Sequence, residues 1–252
     1  MMKHLKNRIF ALIKQVIIND KILLNLASYC SFYKLDRLAS IYRSDKFGSH
    51  FYTQHYQKHF KKLQLKKIKL LEIGIGGDDN SNLGGASLKM WKYFFPRGYI
   101  HGVDLFDKTR FNEKRIKTFK ADQSDEMVMS QIVDKIGKID IIIDDGSHVN
   151  SHVINSFIQL FPKLEIGGIY VVEDTQTSYW SEYGGQFENL NCQKTIMGFF
   201  KSLIDGLNYE EIPGRKSESN YFDEMIKEIH FYHNLIFIYK AENKEGSNTL
   251  KV

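Results

Sequence analysis

From about residue 67 onward, short apolar runs alternate with amphipathic stretches, and this alternation restricts the chain to few architectures. Residues 67–72 (KIKLLE), 99–105, 116–120, 139–143 and 169–172 (IYVV) are continuous apolar runs, too short for buried helices. Between them, residues 87–95, 125–136 and 149–161 carry helical spacing, the last with Val153, Phe157 and Leu160 on one face. Strands separated by helices predict an α/β domain whose parallel sheet is covered on both faces.

The C-terminal part departs from that rhythm. Residues 229–232 and 235–239 are strand-like and flank His233-Asn234, a turn-prone pair that predicts a hairpin. A mostly parallel, seven-stranded Rossmann-like sheet closed by an antiparallel hairpin is the arrangement of class I methyltransferases. A dinucleotide-binding Rossmann fold would continue with another βα unit. Residues 1–43 read as an N-terminal helical segment and 44–252 as the main domain.

Composition bears mainly on partners. The net charge of +5 is a mild basic excess spread over the chain, and no nucleic-acid-binding signature accompanies it, so nucleic acid is not expected as a partner. Cys30 and Cys192 stand far apart in no metal-like spacing, which suits a reducing cytoplasm. Near the N-terminus Ile9, Leu12, Ile13, Val16 and Ile17 recur at helical spacing, with Lys3, Lys6, Arg8 and Lys14 ahead of the first acid, Asp20. Lys14 interrupts the apolar stretch and no small-residue cleavage site follows, so neither a signal peptide nor a transmembrane helix is expected. A basic amphipathic helix of this kind packs on its own domain or a partner subunit, or rests on the inner face of an anionic membrane; packing is the preferred reading.

The chemistry-bearing residues sit where strands should end. After the first strand comes Glu72-Ile73-Gly74-Ile75-Gly76-Gly77, whose glycines permit a sharp turn and a close ligand approach. Position 79 is Asp where a dinucleotide fingerprint needs glycine, and Asp78-Asp79 would repel a pyrophosphate. A cofactor without phosphates fits better. S-adenosylmethionine (SAM) carries an ammonium group that Glu72 could hold by a charge-assisted hydrogen bond. Asp104, about 30 residues past the glycine loop, suits ribose hydroxyls. Asp122-Gln123-Ser124 follow the third strand, either beside an adenine or as a helix cap.

Strand four runs into Asp144-Asp145-Gly146-Ser147-His148 and strand five into Glu173-Asp174. Neighbouring strands would bring four carboxylates to one rim, an arrangement that is unfavourable unless protonated or neutralised by a cation. Hard oxygen donors favour Mg²⁺, Mn²⁺ or Ca²⁺ over zinc. Asp144 is structural or on the cofactor side. His148 is a candidate base for a substrate hydroxyl, because an unperturbed imidazole titrates near neutral pH, at about 6.5. Tyr179 and Trp180, in the aromatic stretch TSYWSEYGGQF, offer flat faces to a sugar or a polyketide, or anchor a subunit contact.

LEIGIGGDD, GGASLKMWKYFFPRG, HGVDLFDK, ADQSD, IDDGSH and GGIYVVEDTQTSYW resemble segments of the metal-dependent sugar O-methyltransferases that tailor macrolide antibiotics. SDKFGSHFY resembles the segment preceding the core in that group, and the resemblance covers residues 44–185. It implies Mg²⁺ on Asp145, Glu173 and Asp174, His148 as base, a glycoside or other saccharide as methyl acceptor, and a homo-oligomer. A non-catalytic nucleotide- or sugar-binding module and a hydroxylase-like oxidoreductase are the competing readings.

Overall fold

The computed structural model describes residues 21–31 and 33–247. The basic amphipathic stretch expected between Lys3 and Ile17 lies outside them. Two compact units emerge, one holding the described residues up to Lys67 together with Gly85–Gly98, the other holding Ile68–Gly84 and the described residues from Tyr99 onward. The sequence boundary drawn after residue 43 therefore falls inside the first unit.

The first unit is helical, with α1 (Lys21–Tyr29), α2 (Leu35–Tyr42), α3 (Thr53–Phe60) and α4 (Ala86–Phe94). Leu35, Leu38 and Ala39 place a buried stripe on α2 at i, i+3 and i+4. Tyr56 and Phe60, one helical turn apart on α3, meet Trp91 of α4 with ring centroids 5.0 and 5.8 Å apart. Burying each such side chain contributes roughly 1.5–3 kcal/mol, which holds short helices that would not persist alone.

The second unit carries β1 (Lys69–Ile73), β2 (Tyr99–Asp104), β3 (Ile116–Lys120), α5 (Glu126–Ile136), β4 (Ile139–Asp144), α6 (Asn150–Leu160) and β5 (Leu164–Glu173). α7 (Ile196–Ser202), α8 (Tyr221–Met225), β6 (Ile226–Tyr232) and β7 (Leu235–Lys240) complete it. The strand order is β3-β2-β1-β4-β5-β7-β6. β1 to β5 run parallel, and β7 pairs antiparallel with both β5 and β6. This is the class I methyltransferase topology expected from the alternation and the hairpin, and Asn234 turns the hairpin in the left-handed region at φ 58°. On one face, Ile142, Tyr170, Val172, Ile236 and Ile238 pack with Met129, Ile132 and Val133 of α5 and with Val153 and Phe157 of α6.

β5 is longer than the IYVV run that announced it, because Leu164–Gly168 adds a poorly apolar stretch paired beside a register shift in β4. The chain reverses its direction of travel across the sheet between β1 and β4, which are neighbours. Ile73 is in register with Asp144, and Asp144 with Val172. The carboxyl ends of β1, β4 and β5 thus reach one rim at the switch point, where ligands of open α/β sheets bind.

Candidate functional site

The rim is shaped first by glycine. Gly74 follows β1 at φ +77°, and a Cβ there would lie 2.0 Å from the carbonyl oxygen of Asp145. Only glycine lets the turn after β1 pass this close to the turn after β4. The ladder continues through both turns, with Gly74 N–H donating to Val103 O at 2.8 Å and Asp145 N–H to Ile73 O at 2.9 Å.

Around the glycine loop, charged side chains serve the backbone. Asp104 accepts from the N–H groups of Ile75 (3.1 Å) and Phe106 (2.9 Å), tying the end of β2 to the loop. Glu72, at the end of β1, is completely buried. Lys108, 1% exposed, donates through Nζ to the carbonyls of Asp78, Asn80 and Leu83 at 2.9–3.1 Å. That lysine folds residues 78–83 around its ammonium, a role indistinguishable in sequence from that of any solvated lysine. Asp122 is exposed and accepts from Ser124 N–H and Oγ–H at 2.8 and 2.7 Å, bonds that hold its pKa below the ordinary carboxylate value. The cap of α5 is Asp125, whose carboxylate accepts from Val128 N–H.

Asp144 and Gln123 point inward. Asp144 is 1% exposed, and burial pushes its pKa up to about 7 against the opposing hydrogen bonds from Gln123. Gln123 Nε2 lies 2.7 and 2.8 Å from the two carboxylate oxygens of Asp144, and Tyr170 OH donates to Asp144 at 3.4 Å. The alternation of β4 puts Asp144 on the same face as Ile142, whose neighbours include buried residues of α5 and α6.

Asp145 and Asp174 do the opposite and converge. Each of Asp145, His148 and Asp174 offers a ligand atom within 4.8 Å of the others, and His148 Nε2 stands 3.9 Å from Asp174 Oδ2. Both His148 (φ 56°) and Asp174 (φ 54°) occupy the left-handed region, a costly conformation that neighbouring bonds hold in place. Ser147 N–H donates to Gln123 Oε1, and Asp174 O accepts from Thr177 N–H and Oγ1–H. Glu173 ends β5 nearly buried on the opposite strand face from Val172, and it is not among the three converging residues. The two carboxylates at this spacing offer oxygen donors suited to a divalent cation with oxygen preference, and the imidazole stands beside them.

Past Asp174, residues 175–183 form two 3₁₀ turns that present Tyr179 and Trp180 half-exposed. Asn150, buried at the start of α6, donates through Nδ2 to Thr177 O and Tyr183 O and accepts at Oδ1 from Ile196 N–H. One side chain thereby fixes the aromatic stretch and the start of α7 to the helix that follows His148.

No protein-family model matches the chain. Mycinamicin VI 2''-O-methyltransferase of Micromonospora griseorubida is 45% identical over 214 residues, covering 84% of this chain and 54% of that protein. Demethylmacrocin O-methyltransferase of Streptomyces fradiae is 44% identical over 214 residues with the same coverage. A methyltransferase of the mycinamycin biosynthetic pathway, solved in complex with Mg, SAH and mycinamycin VI, superposes with a TM-score of 0.81 at 44% identity, over 84% of this chain and 55% of that one. The chain spans about half the length of these relatives.

Proposed function

The chain belongs to the family of the deoxysugar O-methyltransferases, and on that premise we propose that it transfers the methyl group of SAM to a hydroxyl of a glycoside or other saccharide. The observation that carries this reading is the meeting of Asp145, His148 and Asp174 at the rim shared with the Gly74 turn.

Asp145 and Asp174 would hold a divalent metal, Mg²⁺ foremost, with Glu173 beside Asp174 as the proposed third carboxylate. Such an ion supplies positive charge that lowers the pKa of a hydroxyl. His148 accepts the hydroxyl proton at Nε2, and Asp174 beside it stabilises the resulting imidazolium. On the cofactor side, Glu72, Gly74 and Gly76 frame the loop. Each oxygen of Asp104 already accepts one backbone N–H and keeps lone-pair capacity for a ribose hydroxyl. Asp122, exposed after β3, would accept from the adenine amine. Tyr179 and Trp180 offer their ring faces to the sugar. Much of the acceleration comes from aligning hydroxyl oxygen, methyl carbon and sulfur, because the sulfonium is already an activated donor.

The proposal places the protein in the cytoplasm as a homo-oligomer. No helix among the described residues is long and apolar enough to cross a membrane. The test is methyl transfer from labelled SAM to a panel of glycosides, with label transfer abolished by EDTA and restored by Mg²⁺. A thermal shift with NADH or FAD, and none with S-adenosylhomocysteine (SAH), overturns the assignment in favour of an oxidoreductase.

A further inference from the structure

Gln123 follows β3, whereas the Asp145–His148 turn follows β4, and β2 and β1 separate those strands in the sheet. No backbone ladder links the two turns, yet Gln123 spends its whole amide on joining them. Nε2 donates to both oxygens of Asp144 and, at 3.1 Å, to Ser156 Oγ of α6. Oε1 accepts from Ser147 N–H at 2.9 Å. The partners dictate the orientation: a flipped amide would set oxygen against the Asp144 carboxylate and N–H against the Ser147 N–H.

The same side chain explains a glycine. A Cβ on Gly146 would lie 2.4 Å from Gln123 Oε1 and 3.1 Å from Ile73 Cγ2, so the turn has room for the amide only because residue 146 has no side chain. Gln123 therefore grips Asp144 and Ser147, on either side of the Asp145-Gly146 pair, and its bond to Ser147 stands immediately before the left-handed His148. Asp145 lies between the gripped positions, with its own N–H fixed to Ile73 O.

We propose that Gln123 is a positioning residue that sets Asp145 for metal binding, with His148 held beside it as the base, and makes no contact with the cofactor. The proposal rests on the methyltransferase reading above, and it departs from the sequence expectation that Gln123 serves an adenine. Side chains that orient metal ligands from outside typically govern roughly 10–100-fold in metal affinity.

The experiment compares Gln123→Met with the unaltered full chain, reading Mn²⁺ affinity by electron paramagnetic resonance, SAH affinity by calorimetry, and the thermal midpoint. Methionine keeps the volume and removes the hydrogen bonds. The expected result is Mn²⁺ binding weakened about tenfold or more, with SAH affinity within about twofold, a pattern that global loosening would not give. Weakened SAH binding with unchanged Mn²⁺ affinity makes Gln123 a cofactor contact and overturns the proposal, as does a variant unchanged in both. Should Gln123→Met fail to fold, Ser156→Ala removes one partner and leaves the amide in place. There the proposal expects about threefold weaker Mn²⁺ binding, a fraction of the outer-shell effect, and unchanged affinity overturns it. An unaltered chain that binds no Mn²⁺ sinks the metal-dependent reading itself, a result distinct from either failure.

Discussion

At the ends of β1 and β2 the rim is built from side chains that serve the protein's own backbone, whereas at the ends of β4 and β5 side chains of the same type are brought to face one another. Asp104 accepts two backbone N–H groups and Lys108 donates to three carbonyls. Asp145 and Asp174 instead approach within 4.8 Å of each other and of His148. A carboxylate that accepts N–H groups is stabilised by their dipoles and fixes the shape of a loop. Carboxylates held close to each other repel unless a proton or a cation offsets their charge, and a cation there brings chemistry rather than shape. Shape and chemistry are thus divided between the two parts of one rim, and Gly74, packed against the Asp145 carbonyl, is the joint between them.

The division implies that each part can be damaged separately. Asp145→Asn keeps the size of the side chain and removes its charge. Loss of several kcal/mol of Lewis-acid assistance should lower methyl transfer roughly a thousandfold, while SAH affinity, measured by calorimetry, stays within about twofold of the unaltered chain, far below the 1.4 kcal/mol of a tenfold change. An equal fall in SAH binding would break the distinction between the two parts.

The reciprocal variant is Asp104→Ala. It frees the N–H groups of Ile75 and Phe106, each losing a bond to a charged acceptor worth about 1.5–3 kcal/mol. SAH binding should weaken roughly tenfold or more as the glycine loop loses its tie, with Mn²⁺ affinity unaffected. Weakening of both ligands would show that the Gly74 joint transmits disorder from one side of the rim to the other.

The two sides were also unequally legible in the sequence. The strands could be read because each is a short apolar run ended by an acid or a glycine, and the hairpin because a turn pair breaks the βα rhythm. The approach of Asp145 to Asp174 followed from β4 and β5 being neighbours. What could not be read is which long polar side chains turn inward. Gln123 and Lys108 carry nothing in their flanking residues that separates a buried strut from a solvated surface group. Asp144 and Asp145 look alike in sequence, yet they diverge because successive residues at a strand end leave on opposite faces. α4 was expected as a helix between the first two strands, but its grouping with the N-terminal helices depends on Tyr56 and Phe60 meeting Trp91, a long-range match of aromatic shapes.

The smallest effect tests the scaffold side by titration. His101 of β2 is largely buried, its Nδ1–H donating to Leu70 O at 3.3 Å and its ring lying over Phe119. Burial above all, reinforced by the positive charges of Lys69 and Lys117 against the hydrogen bond to Leu70, lowers its pKa from 6.5 to about 4. Between those two values the unfolded chain binds a proton that the folded chain refuses, so stability is complete above pH 6.5 and declines as the pH falls toward 4. A full unit of such titration is worth about 1.4 kcal/mol; with the ring partly solvated, a loss of about 1 kcal/mol between pH 6.5 and 5 is expected. His101→Gln retains a donor for Leu70 O and cannot titrate, so its denaturation free energy should stay flatter than that of the unaltered chain over this range. Because the imidazole belongs to the scaffold, Mn²⁺ affinity in the variant should follow the unaltered chain at every pH. Parallel stability curves would mean that His101 titrates in its ordinary range and that the sheet beneath the β2 end is open to water.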